Sequence, residues 1–101
     1  MGRYVFDAYY DGTPTVANPF RPTLSDDETR VLLMELPDRL QVHCGENARV
    51  EAAEIEMREV RGVERWTRRV AIETSTEERA AKDQIERAFN DLQLFGDPLN
   101  E

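Results

Sequence analysis

The chain has 101 residues, of which 13 are Lys or Arg and 21 are Asp or Glu, so the first expectation is one small acidic domain with a formal charge of −8. Apolar residues make up 40%, enough for one core, and they nowhere form the long uninterrupted run that a transmembrane helix or a secretory signal needs. The single cysteine, Cys44, cannot close an internal disulfide, which fits a reducing compartment and makes the cytoplasm the expected location. Lys82 is the only lysine beside twelve arginines, whose planar forks suit pairing with the many carboxylates.

Residues Arg3 to Tyr10 alternate, with Tyr4, Phe6, Ala8 and Tyr10 on one side and Val5, Asp7 and Tyr9 on the other, which predicts a pleated strand. Asp11-Gly12 is turn chemistry, and Pro14, Pro19 and Pro22 exclude regular structure from residues 12–24. Val16 and Phe20 within this stretch predict an ordered loop that packs across one face, pinned by those two side chains.

Ser25 followed by Asp26, Asp27 and Glu28 is a capping box at a helix start, with acidic residues suited to the positive end of the helix dipole. Val31, Leu32, Met34 and Leu36 then form the apolar side of a helix that Pro37 is expected to stop; a strand over Arg30 to Leu36 is the rival reading. Arg39 to Cys44 alternates Leu40, Val42 and Cys44 against Gln41 and His43, a pattern for a short strand ending at Gly45.

Between Arg49 and Thr74 the economical reading is a hairpin about Gly62, although Val50, Ala53, Met57 and Val60 also fit helical spacing. The favoured register sets Ala53 opposite Ile72 and Ile55 opposite Val70 on the buried face, with Glu56 opposite Arg69 outside. A register shifted by two residues is the alternative. Ser75 to Glu78 repeats the capping pattern, and Ala81, Ile85, Ala88, Phe89 and Leu92 then predict an amphipathic helix from Thr76 to Leu94, stopped by Gly96 and Pro98. Together these elements predict an α+β domain: a small antiparallel or mixed sheet of about four strands with two helices on one face, with the ferredoxin-like arrangement as the leading topology.

The chemistry is sparse. A nucleophilic thiol with an imidazole base is conceivable at His43-Cys44, yet neighbours on a strand point to opposite faces. One His and one Cys do not suggest a metal site, and none of the five glycines falls in a phosphate-cradling pattern, so neither metal nor cofactor is expected. Arg58, Arg61, Arg65, Arg68 and Arg69 around Trp66 resemble a nucleic-acid surface, but Glu54, Glu56, Glu59, Glu64 and Glu73 share the hairpin and favour a salt-bridged strand face.

The expectation is therefore a non-enzymatic protein-interaction or regulatory module that binds a partner with a basic surface, without direct contact to nucleic acid or membrane. A homodimer and an inhibitor that occupies a partner's nucleic-acid-binding groove are versions of this reading. The candidate contact residues are Tyr9, Phe20, Glu54, Glu56 and Glu59. The alternative is a small enzyme or ligand-binding domain with a pocket for an anionic molecule between sheet and helices, where His43 or arginines orient the ligand.

Overall fold

The alternating residues near the start form β1 (Gly2–Tyr9) in a computed structural model that describes residues 2–16 and 19–99. There follow α1 (Asp26–Cys44), β2 (Ala48–Val60), β3 (Val63–Thr74), α2 (Glu78–Asp91) and β4 (Phe95–Leu99). The strands make one sheet in the order β2-β3-β1-β4 with every pairing antiparallel, and the two helices supply the rest of an α+β core. This order is compatible with the expected ferredoxin-like topology.

The expected number of strands and the observed number agree, and three of the four are the expected ones, but the strand expected at residues 39–44 is absent and β4 takes its place. Pro37 does not end α1, and residues 39–44 are its last turns, not a strand. A proline inside a helix leaves the carbonyl four residues earlier without its amide donor. Here that carbonyl belongs to Leu33, and Nη1 of Arg68 from β3 donates to it at 2.8 Å and to the Met34 carbonyl at 3.3 Å, while Nε donates to the Ala53 carbonyl at 2.8 Å. One guanidinium thus takes over the duty of the missing proline N–H and ties the helix to the hairpin.

Continuing the helix changes which side is apolar. Leu33, Leu36, Leu40 and Cys44 form the buried stripe, while Val31, Met34 and Val42, expected inside, are exposed. The capping box at the helix start is formed as expected, with Ser25 Oγ accepting from the Glu28 amide at 3.2 Å and Glu28 Oε1 accepting from the Ser25 amide at 3.2 Å. At the other end the side chain of Gln41 donates to the carbonyls of Gly45 and Ala48 and accepts from the Val50 amide, which fixes the step from α1 into β2.

The hairpin turns at Arg61 and Gly62, both with positive φ, as a two-residue connection between twisted strands requires. Its register is the alternative, shifted one near the turn, with Met57 opposite Trp66 and Ile55 opposite Arg68; Glu56 faces Thr67 and not Arg69. Beyond Ile55 a bulge at Ala53 and Glu54 slips the pairing by one, so that Ala52 meets Val70 and Val50 meets Ile72. The slip restores apolar residues to the helix-covered side after Ala53 has broken the alternation.

Two further corrections concern the end of the chain. The helix expected from Thr76 begins at Glu78, and its N-cap is Glu77, whose carboxylate accepts from the amides of Arg79 and Ala80, in place of a Ser75 box. Gly96 and Pro98, read as helix stops, lie within β4, which pairs with β1 from Val5–Leu99 to Tyr9–Phe95.

The two amide donors hold the Glu77 carboxyl below its usual range. Its folded-state value is therefore depressed, so its contribution to stability is present above the unfolded value, about 4.3, and is lost as pH falls through the folded value. We expect Glu77→Gln to destabilise the protein at neutral pH and to differ little from the parent in strong acid; urea midpoints measured from pH 7 to pH 2 check this.

Candidate functional site

The helix-free side of the sheet is closed by its own charges. Tyr9 stacks on Phe95 with ring centroids 5.6 Å apart, lies under the Arg65 guanidinium, and donates to Asp97 Oδ1 at 3.4 Å. It is 4% exposed, so this candidate contact residue presents no ring to a partner. Burial, followed by the Asp97 charge, raises its phenol pKa.

Around it Arg69 forks onto Asp7 at 2.9 and 3.2 Å, Arg65 meets Asp11 at 3.5 Å, Arg61 meets Asp97 at 3.1 Å and Arg58 meets Glu56 at 2.5 Å. Four of the five arginines gathered around Trp66 in the sequence are thus paired with carboxylates, the salt-bridged face that the sequence favours over a nucleic-acid surface. The fifth, Arg68, holds backbone carbonyls on the opposite side.

The loop is pinned differently from expectation. Val16 and Phe20 are both fully exposed, Phe20 at 92%, and neither packs on the sheet. Arg21 replaces them: its guanidinium lies 5.1 Å from the Tyr10 ring centroid and 4.6 Å from that of Phe95 and donates to the Gln93 carbonyl, while the Tyr10 hydroxyl donates to the Pro22 carbonyl. The other end is held by Asp11, whose carboxylate accepts from the Thr13 amide and hydroxyl, and these bonds lower its pKa.

His43 and Cys44 do not make a catalytic pair. On a helix they diverge by about 100°. Cys44 turns into the core below Leu40, and burial pushes its thiol pKa up, whereas His43 faces α2 with Nδ1 3.8 Å from Asp91. Among the described residues no three His, Cys, Asp or Glu side chains converge as a metal site. We expect Cys44→Ser to cost about 1–3 kcal/mol through a hydroxyl placed in apolar surroundings, and native Cys44 to react slowly with thiol reagents. Rapid stoichiometric labelling without denaturant would contradict its burial.

One of several open concavities is a groove between the first half of α1 and the outer part of the hairpin. Asp27, Arg30, Val31 and Met34 form its helical wall, Ile55 and Trp66 its floor, and together they enclose about 430 Å³. Met57 lies directly across from Trp66. Val31, Met34 and Met57 are 51, 65 and 45% exposed, a concentration of large apolar side chains that the rest of the helix-covered face does not show. The Arg30 guanidinium sits 5.2 Å above the Trp66 ring while bonded to Asp27 at 2.6 Å, and the buried indole N–H of Trp66 has no acceptor among the described residues.

The proposed acidic contacts divide around this groove. Glu54 lies in the bulge, Glu59 stands opposite Glu64 near the hairpin tip on the same side as Met57 and Trp66, and Glu56 is on the other face with Arg58. The three do not form one stripe. Sequence reasoning missed Val31 and Met34 as surface residues because it placed them on the apolar side of the helix, whereas Trp66 is half-buried against the core as well as forming the groove floor.

A second concavity of about 770 Å³ lies between α2 and the β1–β4 pair, lined by Tyr4, Phe6, Phe89, Phe95, Pro98 and Leu99 among others. Comparison with protein-family models, with curated proteins and with solved structures yields no match. No helix of the described residues is long and apolar enough to cross a membrane.

Proposed function

We propose that this chain is a non-enzymatic protein-interaction module that receives a segment of another protein in the groove between α1 and the β2–β3 hairpin. The observation that carries the reading is the exposure of Val31, Met34 and Met57 beside Trp66. Large apolar side chains gathered around an indole in a shallow groove are the usual centre of a protein contact, and truncating one such anchor commonly costs more than about 2 kcal/mol of binding. The helix-free face offers no equivalent among the described residues, since Tyr9 is buried, Phe95 is half-buried beneath the Arg21 guanidinium, and Arg61, Arg65 and Arg69 are paired with carboxylates.

The test places a photo-crosslinking residue at Met34 or Met57, and as a control at Asp83 on the exposed side of α2, in an extract of the source organism. A protein captured from the groove positions alone, identified by mass spectrometry and then purified, should bind the native chain and lose at least about tenfold in affinity to Met34→Glu. Equal capture at all positions, or unchanged affinity of the variant, overturns the proposal.

The aromatic concavity between α2 and the β1–β4 pair favours a second reading, a ligand-binding domain whose site is lined by Phe6, Phe89 and Phe95. Under this reading, native mass spectrometry of gently purified protein shows a stoichiometric small-molecule adduct that is lost in Phe6→Trp.

A further inference from the structure

We infer that the occupant of the α1–hairpin groove is an amphipathic helix whose apolar face is flanked by Lys and Arg, and this rests on the protein-binding reading above. The first argument is the architecture of the groove. Its wall is a helix and its floor is the helix-covered side of the sheet, the same setting in which α1 itself packs on β2 and β3. A partner helix laid there extends the helical layer sideways, with apolar residues spaced three and four apart meeting Met34, Val31, Trp66 and Met57.

The second argument is charge. Asp38, one turn beyond Met34 on α1, Glu54 in the bulge, and Glu59 opposite Glu64 at the hairpin tip border the apolar floor. Among the described residues none of these four carboxylates is in an ion pair, in contrast to the arginine-laced face on the other side of the sheet. Glu59 and Glu64 oppose each other directly across the strands, a placement that costs stability when left uncompensated and that a cation between them relieves. Among the described residues that line the groove Arg30 is the one cation, and Asp27 holds it; Arg68, opposite Ile55, is engaged with the carbonyls of Leu33, Met34 and Ala53.

A second copy of the chain would bring the same carboxylates against these, so charge disfavours self-association through this surface. A basic helix complements it. Arg30 then acts as a cover: swinging away from Trp66 uncovers an indole face for an apolar side chain and gives the indole N–H access to an acceptor.

Trp66 is the only tryptophan, so its emission reports occupancy without a label. The experiment titrates the full chain with three synthetic peptides of about 18 residues, long enough to hold a helix once docked. One has a leucine face flanked by lysines, the second has the same leucine face flanked by glutamates, and the third is a scramble of the first with no apolar face.

The lysine-flanked helix should shift Trp66 emission saturably and bind at least about tenfold more tightly than either other peptide. Glu59→Lys combined with Glu64→Lys should reverse the preference between the two charged helices, and Met34→Asp should weaken both; circular dichroism confirms that the variants are folded. If the lysine and glutamate helices bind alike, the basic flanks are overturned while the groove stands as a protein-binding site. Equal binding by the scramble overturns the helix. Absence of binding by any of the three overturns the amphipathic helix as occupant, and crosslinking from Met34 and Met57 then decides separately whether the protein-binding reading stands.

Discussion

Replacing Phe89 with alanine is expected to lower the unfolding free energy by about 3–5 kcal/mol, a large share of what a domain of this size commands. The ring is 5% exposed and meets Phe6 edge-on with centroids 5.5 Å apart, so it joins α2 to β1. It also presses on β4: a Cβ added to Gly96 would lie 2.7 Å from the ring, closer than real contacts allow. The absence of a side chain at residue 96 is therefore what lets the edge strand approach the helix. Removing the ring leaves a cavity that the rigid sheet cannot close, and urea denaturation of Phe89→Ala should show the full loss. An unchanged midpoint would mean that α2 is not fastened to the sheet through this residue.

The second large effect is expected at Arg68. Truncation to Met keeps the apolar stem but strips the carbonyls of Leu33, Met34 and Ala53 of a charged donor, at an expected cost of about 2–4 kcal/mol. Pro37→Ala supplies the amide that the Leu33 carbonyl lacks. The cost of Arg68→Met should therefore fall by about 1 kcal/mol in the Pro37→Ala background, and a double-mutant cycle from chemical denaturation measures that coupling. Strict additivity would show that the guanidinium does not stand in for the proline N–H.

The same pair explains what could and could not be seen from the chain alone. The Ser25–Glu28 cap, the turn at Gly62 and the apolar stripe of α2 were legible because each is written in a few adjacent residues. The continuation of α1 through Pro37 was not, because the group that makes it tolerable sits on another element. A trace of it was present all the same. Leu33, Leu36, Leu40 and Cys44 keep one helical stripe straight across the proline, and following that stripe would have turned Val31 and Met34 outward and disclosed the groove wall.

The bulge was hidden for a different reason. Both halves of β2 alternate properly, and only the partner strand reveals that they are out of step. β4 contains a glycine and a proline, and its identity as a strand comes from pairing with β1 and not from its own residues. The sequence marks Phe20 and Val16 as anchors because apolar loop residues are commonly buried, yet both are exposed. Arg21, with a guanidinium that can stack on two rings at once, proved the better clasp.

The bulge in β2 also bears on how the protein behaves when crowded. β2 and β4 are the outer strands of a sheet that is not closed into a barrel, and such margins invite strand-to-strand growth into fibres. On β2 the kink at Ala53 and Glu54 breaks the straight run of backbone groups, and Arg68 has already claimed the Ala53 carbonyl. On β4 the strand is only five residues long, and Pro98 withholds a donor. Neither margin offers another chain a long, regular template. The irregularities that made these two strands difficult to read thus guard the sheet against polymerising through its sides.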